Sequence, residues 1–517
     1  MRRLVRLLAL LAVAGACLPV SSASALSYPV TSTADGTAAG TLRWAIAEAN
    51  NRTGADSIPI GVTGTIDLKS ALPVIFDPVS ITGPGAGLLQ VRRDAVAAFP
   101  VFVFASDANP SSLAGVTVSN GQDGLGAGIT NVEGSLTLTG VVVSGNEARA
   151  DGAGVAGAEG GGIFSMGPLT LRESVVAGNV ARAGDGTSET LAAGGGVVVE
   201  GPLTMERSTI SGNVAEATGG TGLAYARGGG LVTGAMATIE LSTISGNVAR
   251  AAEGGTLTRA QGGGLDAQQA DITGSTLAGN AAHSDGEAFG ANLSSFSATL
   301  ARNTLVAYPE GDAESCNGLE LASGGYNLDE DGSCGFGEGS DLVSVVAGLD
   351  PVLRDNGGPT PTHALLPGSI AIDRGRSFGS GIDQRGLPRP SDFAAIADKE
   401  GGDGSDIGAF ELQAPPPSPV LVSVWPGDRV PPNTRIVSGP PRSSYKRVAK
   451  FRFASTEPQS TFQCKLDKRR WRRCRNPFKR KVRAGAKHLF RVRAIDRFGN
   501  VDPTPARFGW RVKKIVP

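Results

Sequence analysis

The chain has 517 residues, 74 of them glycine, with 40% hydrophobic and 5% aromatic side chains and a formal net charge of zero. Three histidines and five cysteines without a CxxC unit exclude a zinc-finger framework. The neutral total conceals two opposed regions: residues 440–517 hold 24 Lys/Arg against 4 Asp/Glu, a net of +20, and residues 1–439 offset them with −20.

At the N-terminus, Arg2, Arg3 and Arg6 precede an apolar run from Leu7 to Ala14, and Ala23-Ser24-Ala25 supplies small residues for cleavage. This pattern predicts a signal peptide over residues 1–25 and an exported protein, with lipidation of Cys17 as the alternative anchoring mode. No later segment is apolar enough to span a bilayer. Residues 26–60 read as a short strand and an amphipathic helix, with Leu42, Ala45, Ile46 and Ala49 on one face.

A long repeat follows. Gly160-Gly161-Gly162-Ile163, Gly194-Gly195-Gly196-Val197, Gly228-Gly229-Gly230-Leu231 and Gly262-Gly263-Gly264-Leu265 recur every 34 residues. In phase with them come Asn146, Asn179, Asn213, Asn247 and Asn280, each after a small residue and a glycine. A fixed period signals a solenoid. Three glycines per repeat would cost a helix about 1 kcal/mol each, whereas Leu169-Thr170-Leu171 and Ser242-Thr243-Ile244 alternate as strands do. The prediction is an all-β fold, a parallel β-helix over 61–413 capped by the helix of 26–60. Its five asparagines would form a structural ladder, amide on amide, about 4.8 Å apart. The inserts 181–193, 215–227 and 249–261 read as solvated Gly/Ala/Thr-rich loops aligned in a ridge. Asn303 suggests a further, shorter coil toward residue 310.

Pro415-Pro416-Pro417-Ser418-Pro419 opens a stiff linker over 414–431. A small all-β unit occupies 432–517. Four cysteines remain after the signal, in two close pairs, Cys316 with Cys334 and Cys464 with Cys474; in an exported chain these favour disulfides.

Three stretches resemble known families. Thr41-Leu42-Arg43-Trp44-Ala45-Ile46 with Ala49-Asn50 resembles the CSLREA-type opening of secreted bacterial β-helix proteins. Asn356-Gly357-Gly358-Pro359-Thr360-Pro361-Thr362-His363, Ile372-Asp373-Arg374-Gly375, Asp383-Gln384-Arg385-Gly386 with Arg389-Pro390, and Asp406-Ile407-Gly408-Ala409-Phe410-Glu411 are similar, in order, to the choice-of-anchor Q domain, here about 350–411. That resemblance implies a right-handed β-helix on a surface or secreted protein. Phe462 to Asp467, Trp471 to Cys474, Leu489 to Asp496, Gly499 to Pro505 and Trp510 resemble bacterial immunoglobulin-like β-sandwich modules. The glycine repeats are also similar, more loosely, to those of polymorphic outer-membrane proteins.

Chemistry is sparse. Glycoside hydrolysis needs paired carboxylates across a groove, and the acids of the repeats, such as Glu159 and Glu216, fall mainly in the inserts. Asp329-Glu330-Asp331 and Asp398 to Asp406 lack the twelve-residue calcium-loop pattern. No catalytic residue, metal site or cofactor is predicted. The distinctive feature is a basic hairpin: Lys468, Arg469, Arg470, Arg472, Arg473 and Arg475 around Trp471, then Lys479, Arg480 and Lys481. These residues predict one strongly positive face for an anionic cell-envelope polymer or acidic polysaccharide, with extracellular DNA as another candidate. The expected function is that of an exported surface or matrix protein, a β-helix spacer bearing a cationic module. A polysaccharide lyase or glycoside hydrolase on the same scaffold is the alternative.

Overall fold

The structure is a computed structural model that describes residues 25–106, 110–152, 154–184, 188–252, 256–318, 320–413, 431–457, 460–496 and 500–514. Most of the expected signal peptide, Cys17 included, and nearly all of the proline-rich linker lie outside these residues. The chain divides into two compact units, residues 1–415 and 416–517.

The first unit is a parallel β-helix, and the coil beginning at Ile163 represents it. Ile163–Ser165 and Leu169–Arg172 run in one sheet and Val175–Ala177 in a second. Val180–Gly184 then leaves the barrel and Glu189–Ala193 returns, and Gly194-Gly195-Gly196 delivers the chain to Val197, one coil on. Equivalent strands pair in parallel and in register, giving sheets of 16, 11, 7 and 5 strands. Strict register puts like on like. Ile129, Ile163, Val197, Leu231, Leu265 and Leu293 form one buried file. Val143, Val176, Ile210, Ile244 and Leu277 form another. Burying each such side chain contributes about 1.5–3 kcal/mol.

The triple glycine has two separate causes. Its first member adopts φ of +56° at Gly194, a left-handed turn. A Cβ on its third member, Gly196, would stand 2.6 Å from the Gly230 carbonyl and 2.9 Å from Asn213 Cγ. The space is already occupied by the next coil and by the asparagine file.

Leu42–Asn50 is a helix whose N-cap, Thr41, accepts the Trp44 N–H at 3.3 Å. Leu42, Ala45, Ile46 and Ala49 are buried in the same core as Ile58, Ile66 and Leu68, so the helix covers the apolar end of the first coils. At the other end, pairing continues through Leu328–Asp329 and Leu342–Val343, well beyond residue 310.

The inserts are not solvated loops. Their outgoing and returning legs stack as the 7- and 5-stranded sheets. Alanines face each other between them: Ala148, Ala181, Ala215, Ala249 and Ala282 in one file, and Ala158, Ala192, Ala226 and Ala260 in another, all buried. Cα atoms of facing legs come within 8 Å, closer than the usual sheet spacing of about 10 Å, which an interface of alanines with Thr190 and Thr258 allows. Alternation of alanine with polar residues makes this ridge a dry fin.

Residues 350–411 run over the outer face of the 11-stranded sheet and bury the outward file Thr209, Thr243 and Thr276.

The second unit has two sheets around one core. Thr434–Ser438, Val448–Ser455 and Phe478–Lys481 form an antiparallel three-stranded sheet. Ser443–Ser444, Ala506–Val512, Ala486–Ile495, Thr461–Leu466 and Arg472–Cys474 form a five-stranded one. Phe451, Phe453, Leu466, Phe490, Val492 and Trp510 fill the space between them.

Candidate functional site

Several residues singled out by the sequence are absorbed by the scaffold. Asn146, Asn179, Asn213 and Asn247 each donate from Nδ2 to Oδ1 of the next asparagine, at 2.9–3.0 Å, ending on Asn280. Each Oδ1 also accepts the backbone N–H of the preceding coil, and each Nδ2 reaches a buried carbonyl, such as that of Ile210 from Asn247. All five are at most 1% exposed, so no ligand can reach them. The ladder gains a sixth rung from elsewhere in the coil. Asn292 occupies the third-glycine position of Gly290-Ala291-Asn292 and accepts from Asn280 at 2.8 Å. A parallel serine file, Ser174, Ser208, Ser242 and Ser275, accepts backbone N–H groups at 3.1–3.2 Å. Sequence reasoning missed both.

Cys316–Cys334 and Cys464–Cys474 are disulfides. The segment 350–411 is bracketed to the coils by buried polar contacts. Gln384 accepts from Thr243 Oγ1 at 2.6 Å and donates to Thr209 Oγ1 at 2.9 Å. His363 Nδ1 donates to the Asp350 carbonyl at 2.8 Å, leaving Nε2 to accept from Ser245 at 2.7 Å. Burial lowers its pKa and keeps it neutral. Arg389 and Glu411 form a fully buried ion pair at 2.8 Å. Burial, reinforced by the Glu411 charge, pushes Asp406 up to about 7. The acids considered for calcium have other duties: Asp331 accepts the Ser315 N–H, Asp403 holds Ser377, and Asp329 accepts the Cys334 N–H. No group of three or more candidate metal ligands occurs among the described residues.

The solenoid does assemble one cleft. Two files of side chains flank the triple-glycine turn: Glu159, Ala193, Arg227, Gln261 and Phe289 on one side, and Met166, Glu200, Gly234, Gln268 and Phe296 on the other. Ala193 and Gly234 leave a notch of about 360 Å³, floored by Val198 and Val232 and walled by Glu159, Glu200, Tyr225, Arg227 and Gln268. Burial, and then the Glu200 charge, raise the Glu159 pKa. Arg227 turns to Asp266 at 2.7 Å.

The basic module is arranged differently from the single face the hairpin predicts. In a strand, neighbours point to opposite sides, and the run divides accordingly. Arg473 pairs with Gln463 on the outer face of the five-stranded sheet, whereas Arg472 pairs with inward Cys464. Lys479 and Lys481 pair with Lys450 and Val448 on the outer face of the three-stranded sheet. Arg469, Arg470, Arg472 and Arg480, with Arg473 at the rim, line a cleft of about 470 Å³ at the open edge between the sheets, above Cys464, Leu466 and Phe478. Lys468 borders a shallow hollow with Lys465, Lys487 and Arg491, and Arg475 is exposed in the following turn. Trp471 lies against the five-stranded sheet, 4.6 Å from the Arg493 guanidinium and 6.0 Å from Lys465 Nζ.

Strand register adds cations that a search for basic runs passes over. Lys465, Arg491 and Arg507 stand abreast on the outer five-stranded face, with Lys487 opposite Arg511. With Arg473 and Arg493 they make seven cations on that face. The outer three-stranded face carries Arg435, Lys450, Arg452, Lys479 and Lys481. Among the described residues, no Lys or Arg of this unit is ion-paired to a carboxylate; its ion pair is His488 with Asp467, at 2.9 Å. Burial opposes charge on His488, but the Arg483 carbonyl and Asp467 outweigh it and raise the pKa. On the solenoid, by contrast, many arginines are matched, as in Arg182–Glu216 at 2.5 Å and Arg302–Asp271 at 2.6 Å.

No family model and no curated protein matches the chain. Among solved structures, ORF18 of Geobacillus virus E2 aligns over 57% of this chain and 62% of its own, at 10% identity and a TM-score of 0.26. The alignment thus spans less than two thirds of that protein, and so slight a likeness carries no argument. No helix among the described residues is long and apolar enough to cross a membrane.

Proposed function

We propose that the protein is an exported structural or adhesion protein of the cell surface or extracellular matrix, in which a right-handed β-helix spacer carries a cationic module that binds anionic polymers. One observation carries this reading: seven cations share one sheet face, and none of them is ion-paired to a carboxylate among the described residues, the nearby Asp467 being held by His488. Such a face attracts polyanions and repels itself, so a bound polyanion relieves what the fold leaves strained. We assign residues 350–411 to the choice-of-anchor Q type, residues 26–60 to a CSLREA-like cap and residues 432–512 to an immunoglobulin-like module. The four ordered motifs of the first, with Thr360, His363, Gln384, Arg389, Asp406 and Glu411 buried, support a strap that clamps the coils. Acidic polysaccharide is favoured over DNA because sequence-tolerant strand binding uses several stacking rings, and the aromatics against the five-stranded face, Trp471 and Tyr445, are already stacked on Arg493 and Lys513. The test is retention of the full-length protein on immobilised heparin across a salt gradient. For about six contacts, affinity falls roughly a thousandfold between about 50 and 200 mM salt. Salt-independent retention, or none at low salt, refutes the reading.

The Glu159–Glu200 notch favours a second reading, a glycan-processing cleft on the solenoid. Release of reducing or unsaturated sugar ends that Glu159→Gln and Glu200→Gln both abolish would establish it.

A further inference from the structure

The cations of the module lie on the two outer faces of a two-layered unit, with Phe451, Phe453, Phe490 and Val492 between them. Sheets pack about 10 Å apart, and Lys and Arg stems carry their charges outward from each, so the two charged planes are on the order of 20 Å apart. Through solvent that exceeds two Debye lengths of about 8 Å at physiological ionic strength, so ligands on the two faces repel each other only weakly. Both faces are built by the same device. Directly opposed strands present like charges, Lys450 against Lys479 on one side and Lys465, Arg491 and Arg507 in line on the other.

We infer that the module is bivalent: its two outer faces hold two acidic polysaccharide chains at once and cross-link them. This inference rests on the polyanion reading above and adds its stoichiometry and consequence. A protein with one basic face coats a polymer. One with two opposed faces joins separate polymer chains into a network, which is a gelling or matrix-forming activity rather than simple adhesion.

The test uses full-length protein and two probes: a heparin-derived hexasaccharide, which lies along one face and could touch both only by bending around an edge strand, and long heparin. The wild type should bind two hexasaccharides per chain by native mass spectrometry, and turn long heparin turbid near charge balance. The triple variant Lys465→Gln, Arg491→Gln, Arg507→Gln should bind one hexasaccharide and form no turbid phase. Lys450→Gln, Lys479→Gln, Lys481→Gln should do the same from the other side. Each set removes like-charge contacts, so both variants should fold, which thermal melting checks. One hexasaccharide per wild-type chain, with both triple variants weakened alike, means a single polymer wrapped around the Arg469–Arg480 edge and overturns the inference. Two per chain in either variant overturns it as well. No binding by any form refutes the polyanion reading itself and the inference with it. An oligothymidylate arm of matched charge separates the sources: binding tighter than that of the hexasaccharide assigns the faces to nucleic acid instead.

Discussion

Replacing Asn247 by alanine tests the ladder at its centre. The side chain makes four hydrogen bonds: Nδ2 to Asn280 Oδ1 at 2.9 Å and to the Ile210 carbonyl at 3.0 Å, and Oδ1 from Asn213 N at 3.0 Å and Asn213 Nδ2 at 2.9 Å. A net bond contributes about 1 kcal/mol, and truncation leaves partners buried and unpaired, so the variant should lose about 4 kcal/mol. In a solenoid the loss is felt first by the neighbouring coils. Hydrogen exchange reads it locally: at about 1.4 kcal/mol per decade, the Asn213 amide should exchange roughly a thousandfold faster, while the coil at Ile129 changes little. Asn247→Asp is the companion. Its carboxylate still accepts from Asn213 but cannot donate to Ile210 or Asn280, so at neutral pH it should be at least as damaging. A loss below about 1 kcal/mol for the alanine, or wild-type behaviour of the aspartate, would show that the aliphatic files alone hold the coils.

The glycines separate in the same way. Gly178→Ala meets no atom within 4 Å and costs only its left-handed φ of +64°, about 1 kcal/mol, whereas Gly196→Ala drives a methyl into Gly230 and Asn213 and should cost about 3 kcal/mol; denaturant melts rank the two. Removing Cys464–Cys474, which closes a ten-residue separation, by the double variant Cys464→Ser, Cys474→Ser should lower the stability of the basic unit by about 2–3 kcal/mol and free the Arg472–Cys474 edge strand, leaving the repeats and their Cys316–Cys334 bridge unchanged in exchange experiments. The strap should tighten on mild acidification. Asp406 holds its proton to about pH 7 when folded and releases it near 4 when unfolded, so the folded state binds more protons in that window, and stability rises as pH falls from 7 toward 4; proteolysis of residues 350–411 at pH 8 and pH 5.5 reads the sign.

The coils were legible because a solenoid repeats its neighbours: a residue at one phase meets itself above and below, and period becomes contact. Where the phase breaks, the signal fails. Asn292 was invisible because its coil is 28 residues long, from Leu265 to Leu293, and the rung comes from the other side of the turn. The inserts were read by composition, and alanine looks like loop filler. Only the alternation in Val180-Ala181-Arg182-Ala183 shows two strands with a methyl face. Contacts such as Thr209 to Pro361, 152 residues apart, leave no periodic trace. The basic site reads as a run, but residues 468–471 form a turn and only Arg472–Cys474 and Phe478–Lys481 are strands, whose neighbours point to opposite sides. Alternate positions such as Arg491 and Arg493 make a face.

A solvated arginine-rich surface is the plain alternative to a binding site, and the two units of this one chain discriminate between them. Were the arginines merely compositional, they would be placed alike in both. The solenoid sets many of its own against carboxylates such as Glu216, Asp271 and Asp266, and where Arg149 stands opposite Arg182 it flanks the pair with Glu147, Asp151 and Glu216. The module sets Lys450 against Lys479, Lys465 against Arg491, Arg491 against Arg507 and Lys487 against Arg511. At about 0.2–1 kcal/mol each, these contacts cost roughly 1–4 kcal/mol, a large share of a stability of about 5–15 kcal/mol. Lys450→Glu turns one repulsion into an attraction on an exposed sheet face. It should therefore raise the melting stability by about 0.5–1 kcal/mol while weakening polyanion retention. Stability and retention moving together in that variant would mean that the charges serve the fold, and that no anion is needed to account for them.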